Sequence, residues 1–349
     1  MAVVGHWENL AEAEKLTQSW LLSGVIDTVI ESGQLLPRMP MKQISGLDLV
    51  YNREKSSNAQ DGAGFYDIRE QISWTSDLSY DKVTVPLKRV IRQDPIDKFV
   101  EMTYNNVNDY RALMLTQLAK RVTRFLEHQI IYGDVTYGGA KQFDGLHAMA
   151  EELTGDLDVD MNEAGLSLMT MRKTLDACKV DPDKAGAEGV FWLFPREIAR
   201  RLSAAYFEQG IDSGATNIFN QASLISQTVN DAGRRVMAFD NIPIVVSDFL
   251  QAEQDNTGVG SDARALYTAD DKQYSVFLIR MGQTEDGGLS MLFGGGGNEV
   301  GEVFRRETFE KLEDFDSGGE RLVTYMAPAL GAQHSLARIY DIEDVAVVV

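Results

Sequence analysis

Apolar and polar positions alternate with distinct rhythms along the chain, and each rhythm predicts a different element. Within residues 7–32, Leu16, Trp20, Leu21, Val25 and Val29 recur at helical spacing, and "LLPRMP" then stops the helix. Over 41–92 the period shortens to two. "LDLVYNRE" and "FYDIREQISW" read as extended runs, the second with Tyr66, Ile68, Ile72 and Trp74 in alternation. Between them "KSSNAQDGAG" carries an Asp-Gly turn signal. This predicts a hairpin too long for a tight turn and too polar on both sides to be a core element. Such a hairpin projects from its domain or lies on a partner. A third extended run, "KVTVPLKRVI", follows.

The strongest helical pattern occupies 105–132. Val107, Tyr110, Met114, Leu118, Val122 and Phe125 step by three or four onto one face, while Lys120, Arg124, Glu127 and His128 fall on the other. A helix of that length spans about 42 Å at 1.5 Å per residue. Gly133 is placed to end it. "QFDGL" reads as a turn. "DMNEAGLSLMTMRKTLDACKV" reads as a helix with Asp160 and Glu163 at capping-box spacing. "GVFWLF", "IPIVVSD" and "YSVFLIRMG" are short continuous apolar runs, hence buried strands, and Pro195 opens the helix "REIARRLSAAYF". From 289 onward the pattern is of long strands and turns. The mixture predicts an α+β fold.

Composition narrows the class. The 349 residues are 44% hydrophobic and 25% charged, ordinary for a globular chain long enough to bury large cores. No apolar run approaches the 18–20 residues of a membrane span; "WLLSGVIDTVI" is broken by Asp27. The first residues lack the basic and apolar regions of a signal peptide. Cys178 is the only cysteine, which rules out an intrachain disulfide and points to a reducing cytoplasm as the place of assembly. The net charge of −20 argues against gripping nucleic acid along its backbone, since the basic residues are scattered, in pairs such as Arg200–Arg201 and Arg305–Arg306, and none sits in a run with interleaved aromatics.

Candidate chemistry is thin. Glu127 and His128 are adjacent on the long helix and diverge by about 100°. Residues 124 and 131 are Arg and Ile, so His128 has no second ligand at helical spacing, and the pair reads as a solvated face. Asp156, Asp158, Asp160 and Asn162 have the alternate spacing of a calcium loop, but Met161 and Ser167 stand where its Gly and Glu belong. Gly294–Gly297 is followed by Asn298 and Glu299, not by the Lys-Ser/Thr of a phosphate loop, and reads as a flexible turn. Cys178 reads as a structural thiol. His6, His128, His147 and His334 fall in no motif. No catalytic residues, metal ligands or cofactor are predicted, although carboxylates can meet in space without leaving a sequence trace.

Five stretches, taken in order, resemble the major capsid protein of tailed double-stranded-DNA phages, a fold shared with encapsulins. They are "LLSGVIDTVIESGQLLPRMP" leading into "GLDLVYNRE"; the long hairpin; the long helix closing with "LEHQIIYGDVTYGGAKQFDGL"; "FDNIPIVVSD"; and "RLVTYMAPALGAQHSLARIYDI". The resemblance implies an N-terminal arm over 1–42 and an extended hairpin loop over 43–80. It implies a peripheral domain with a long spine helix over 81–155 and 281–330, and an axial domain over 156–280 and 331–349. It also implies a non-enzymatic role: copies form pentamers and hexamers of an icosahedral shell around phage DNA, in a virion assembled in the host cytoplasm. A separate scaffolding protein, a portal and a decoration protein are the further partners it suggests, with no membrane and no sequence-specific DNA contact. Leu21, Leu22 and Val25 in the arm, and Tyr51, Arg53, Phe65, Tyr66, Ile68 and Trp74 in the hairpin, are then candidate intersubunit residues; the competing reading places them in the core of their own domain. An encapsulin-type compartment and a metal-dependent or acid–base enzyme are the alternative functions.

Overall fold

The computed structural model describes residues 33–56, 65–71, 79–104, 110–136, 141–180, 189–208, 225–229, 235–253, 272–294, 303–312 and 316–348. The first half carries β1 (Met41–Ile44), β2 (Asp48–Ser56), β3 (Ser79–Pro86), β4 (Lys88–Asp97), α1 (Lys98–Tyr104), α2 (Tyr110–Tyr132), α3 (Leu146–Ala150), β5 (Asp158–Asp160) and α4 (Leu168–Ala177). There follow β6 (Val190–Phe194), α5 (Arg196–Glu208), β7 (Ile225–Val229), β8 (Arg235–Phe239), β9 (Ile242–Val246) and β10 (Gln273–Arg280). The last strands are β11 (Leu289–Gly294), β12 (Arg305–Phe309), β13 (Ser317–Leu330) and β14 (Leu336–Glu343).

These strands form a seven-stranded sheet in the order β5-β14-β10-β6-β9-β8-β7, a five-stranded sheet built on β13, and the separate β2–β3 ribbon. The continuous apolar runs are the centre of the larger sheet because both of its faces are covered. In β6, Phe191 and Leu193 point into a core shared with α2, α3 and the five-stranded sheet. Val190, Trp192 and Phe194 point the other way, into a core closed by α4 and α5. β10 divides likewise: Phe277 and Ile279 go to the first core, Val276 and Leu278 to the second. In the smaller sheet β13 is the hub, pairing with β4 along 317–326 and with β12 and β11 in turn on its other edge.

The long helix is 23 residues, about 35 Å at 1.5 Å per residue, and stops before Gly133 as expected. Its buried face is not the single stripe that the spacing predicts. Met114, Leu118 and Val122 are buried, but Phe125 is 49% exposed, and Leu126, Glu127, Ile130 and Ile131 are buried instead. The cover changes along the helix: the last two turns are wrapped by residues 33–39 and by α3, so nearly every side is enclosed.

That wrapping corrects the solvated reading of Glu127, which is fully buried. Its carboxyl oxygens accept the backbone N–H of Leu36 (2.9 Å) and Leu35 (3.2 Å). A Cβ on Gly33 would stand 2.5 Å from the same carboxyl, so the segment can approach only with glycine there. Burial pushes the Glu127 carboxyl above the ordinary range, against the lowering effect of those N–H groups and of Arg38. Its neighbours have separate tasks. The His128 ring lies 5.2 Å from that of Tyr132, and the Asp134 carboxylate, itself buried, accepts the Thr136 N–H. The expected capping box is also corrected: α4 begins after Ser167, whereas Asp160 accepts the Asn162 N–H in a turn where Asn162 and Glu163 have positive φ.

A polar network fastens the end of α2 to the larger sheet. Arg338 of β14 donates two hydrogen bonds to Asp158 of β5, at 2.7 and 2.9 Å, and a third to His147 Nδ1 of α3 at 3.2 Å. A guanidinium can only donate, so Nδ1 is the acceptor and Nε2 carries the proton. Nε2–H then donates to Glu253 (3.0 Å), which also accepts from Tyr132 of α2 and Ser275 of β10. Arg338, His147 and Glu253 are each at most 1% exposed, and their hydrogen-bond roles agree throughout. Across the smaller sheet, Glu320 of β13 accepts from Arg111 of α2 and from Arg306 and Thr308 of β12. The Arg306 guanidinium, the other donors assisting, holds its carboxyl at about 2.

Two outcomes follow. Arg338→Leu leaves the buried His147 and the partly buried Asp158 without their shared donor and lowers stability by about 3 kcal/mol in chemical denaturation. Arg338→Lys fails to restore it, because one ammonium cannot span both partners; a loss below about 1 kcal/mol would contradict the role given to Arg338. For Glu320 the folded pKa lies below the ordinary 4.5. Its stabilisation is therefore complete above that value and is lost as pH falls toward 2. Glu320→Gln should flatten the acid limb of stability against pH across this window, and an unchanged limb would refute the assignment.

Candidate functional site

The β2–β3 ribbon is a two-faced stem. Leu49 opposes Val85, Tyr51 opposes Val83 and Arg53 opposes Asp81, so these side chains share one face, which is half-buried except at the exposed Asp81. Val50, Asn52 and Glu54 with Thr84, Lys82 and Tyr80 form the other, exposed face. The period of two in "LDLVYNRE" is therefore real. Its partner strand is not the one the alternation suggested. The second strand is "SYDKVTVP", and the described part of "FYDIREQISW", residues 65–71, is a turn. The turn is local: the Asp67 carboxylate accepts the Ile68 N–H, Glu70 accepts the Asp67 N–H, and Arg69 has φ +73°. Side-chain bonds of this kind compete with strand pairing, and the β-branched Val83 and Val85 offer the better cross-strand partners.

The inner face is tied to the body at two levels. At the root, Leu49, Val85 and Leu87 pack on Ile44, Leu292 and Ala329. Further out, Tyr51 Oη donates to the Leu330 carbonyl, Arg53 Nε donates to the Gly331 carbonyl (3.0 Å), and Arg53 Nη2 donates to Leu330 O and to Tyr51 Oη. Burial pushes the Tyr51 phenol above its ordinary value. Between the stem and α3 lies a cleft of about 110 Å³, lined by Tyr51, Arg53, Val83, Met149, Leu153 and Leu330 among others.

The candidate interface residues thus fall into groups. Tyr51 and Arg53 contact their own chain. Phe65 and Ile68 are essentially fully exposed and Tyr66 is 45% exposed, all on the turn at 65–71. Leu21, Leu22, Val25 and Trp74 lie outside the described residues. Reading the sequence missed other exposed apolar side chains: Leu47, Val50 and Tyr80 on the stem, and Phe99 and Met102 on α1. Val50 and Tyr80 were accessible from the stem's alternation once the correct partner strand is chosen.

Other candidates are absorbed into the fold. His147 and Glu253 form an acid–base pair, but both are sealed in the network and present no surface to a substrate. Asp158 is engaged with Arg338. Cys178 is buried and its thiol is pushed up to about 12 by that burial, far from a nucleophile's range. Gly294 ends β11, and Gly295–Gly297 lie outside the described residues. Among the described residues no group of three or more His, Cys, Asp or Glu is arranged to hold a metal, and no helix is long and apolar enough to cross a membrane.

No protein-family model matches the sequence, and no curated protein matches it. Solved structures do match, over nearly the whole chain. The holo-SrpI encapsulin complex from Synechococcus elongatus PCC 7942 is similar at 12% identity over 98% of both chains, with a TM-score of 0.59. The capsid of the native GTA particle is similar at 10% identity over 95% of this chain and 97% of that one, TM-score 0.61. A structure from Microbacterium phage Oxtober96 is similar at 12% identity over 95% of this chain and 98% of that one, TM-score 0.54. With likeness to such structures over nearly its whole length, the chain has the fold shared by tailed-phage major capsid proteins and encapsulins.

Proposed function

We propose that this chain is a structural shell protein whose copies tile, as pentamers and hexamers, into a closed icosahedral shell around phage double-stranded DNA. The observation that carries the reading is structural likeness covering at least 95% of this chain in an encapsulin, a GTA-particle capsid and a structure from a Microbacterium phage. The chain supplies a physical reason as well. Phe65 and Ile68 stand in water on an outlying hairpin, and exposed apolar residues carried on a projection are stabilised when a sister copy covers them.

Within this reading residues 1–42 are the arm, the hairpin expected over 43–80 runs on to Pro86 with β3, the rest of 81–155 with 281–330 is the peripheral domain, and 156–280 with 331–349 is the axial domain. The sheet composition supports the division: all seven strands of the larger sheet fall in the axial ranges, and β4, β11, β12 and β13 in the peripheral ones. Phe65, Tyr66, Ile68 and Trp74, with Leu21, Leu22 and Val25, make the contacts between copies, and Tyr51 and Arg53 position the hairpin for them. A separate scaffolding protein, a portal and a decoration protein complete the particle. An encapsulin-type compartment is the second reading, favoured by the 98% mutual coverage with the SrpI encapsulin.

Electron microscopy of the purified chain tests the proposal: closed shells are expected, and small oligomers under every assembly condition would overturn it. Nuclease-protected DNA inside the shells supports the phage reading, whereas a stoichiometric co-purifying enzyme supports the compartment. Charge gives a separate outcome. Subunits at −20 repel one another, so assembly followed by light scattering should speed up as the Debye length falls from ~30 Å at 0.01 M to ~8 Å at 0.15 M salt. Fastest assembly at the lowest salt would contradict it.

A further inference from the structure

We propose that Tyr51 and Arg53 form a latch that fixes the angle of the β2–β3 hairpin to the body, and that releasing this latch lets the hairpin rock over the cleft beneath it as neighbouring copies are met. The inference rests on the shell reading only for what does the releasing; the latch itself is a property of the single chain.

The two sides of the contact differ in stiffness. The acceptors are the carbonyls of Leu330 and Gly331, where β13 ends. That corner is clamped: the N–H groups of Gly331 and Ala332 donate to Gly288 and Gly287, at 3.0 and 2.8 Å. A Cβ at Gly331 would stand 2.4 Å from the Thr284 carbonyl and 2.6 Å from Gly287. The donors sit on a ribbon belonging to neither large sheet. Its apolar root, Leu49 and Val85 on Ile44, Leu292 and Ala329, acts as a pivot because apolar contacts hold position without fixing direction. Arg53 and Tyr51 lie beyond that pivot and supply direction, through three hydrogen bonds to two fixed carbonyls, two of them charge-assisted. The guanidinium also lies over the Tyr51 ring, 5.5 Å from its centroid, so the two side chains move as one unit.

The cleft supplies the room. Its volume of about 110 Å³ lies between the stem and α3. A ribbon held at its root and latch, with open space between stem and body, has two arrangements available: latched, and rocked with Arg53 exchanging its carbonyl partners for water. A bistable contact suits a chain whose hairpin must reach sister copies at slightly different angles.

Hydrogen exchange on the unassembled full chain tests the latch. With Arg53→Ala and Tyr51→Phe together, the β3 amides are expected to exchange at least tenfold faster, while those of β10 and β14 keep their protection. Unchanged β3 exchange with the body intact overturns the proposal. If the double variant loses protection everywhere, Tyr51→Phe alone decides, since it deletes one hydroxyl; at least a threefold increase at β3 supports the latch and no change overturns it. Met149→Trp fills the cleft and leaves the latch residues in place. It should keep parental exchange at β3 but cut the yield of closed shells at least fivefold, and parental yield overturns the role given to the cleft. If the parent chain forms no shells, the shell reading fails while the exchange result still decides the latch.

Discussion

The buried network running from Asp158 through Arg338 and His147 to Glu253 is the constraint on which the architecture turns. It joins six parts of the chain: the end of α2, the start of α3, the segment after β9, and strands β5, β10 and β14. Apolar packing alone would let the long helix slide on the sheet, because hydrophobic contact is non-directional. A guanidinium that must donate to both a carboxylate and an imidazole nitrogen permits one register only. The network's cost is that it works best when complete: the Glu253 carboxylate is held in the interior by donors that include Tyr132, His147 and Ser275, so losing one leaves a buried charge less well solvated.

Rigidity at that junction decides where the molecule can yield. One apolar core continues from the five-stranded sheet across α2 and α3 to the face of the seven-stranded sheet. Close-packed interiors do not bend by degrees. The Glu320 cluster adds a directional tie between α2 and the smaller sheet, and Glu127 clasps residues 35 and 36 to the same helix. The β2–β3 ribbon is tied less extensively: short links to β1 and β4, a small apolar root and a few hydrogen bonds to carbonyls hold it, and the proposed compliance is placed there. A tightly packed body with a less extensively tied hairpin is a physically sensible part for the proposed closed shell, because each copy must keep its shape while its reach varies.

How much of this was legible in the sequence depended on range. The strands at 190–194, 242–246 and 273–280 were plain as apolar runs because a sheet covered on both sides imposes no alternation. The long helix was plain too, but not the fate of Phe125 and Glu127, since periodicity gives a stripe and only the tertiary cover says which side is wet. The hairpin's first strand was correct and its second was not: pattern alone cannot choose between an alternating run nearby and a better-pairing one further on. His147, Glu253 and Arg338 were invisible as a unit, with partners 106 and 191 positions apart. Of the candidate interface, the exposure of Phe65 and Ile68 emerged only with the fold, while the inward direction of Tyr51 and Arg53 followed from their spacing once the ribbon was known.

The acidity of the chain finally bears on how the proposed shell would hold its contents. A surface with a net charge of −20 per copy, repeated over a closed particle, sets up a potential that repels a polyanion. DNA would then be retained by closure, not adhesion, and the energy that resists its pressure must come from contacts between copies. Each such contact is modest, but every copy makes several at once, and a closed surface has no free edge from which to peel. The same repulsion acts between subunits before closure, which places the burden on short-range apolar contacts that salt does not screen. Exposed aromatic and aliphatic side chains on a hinged hairpin meet that demand: they add little long-range attraction between free copies, and they act only once two plates have come into register.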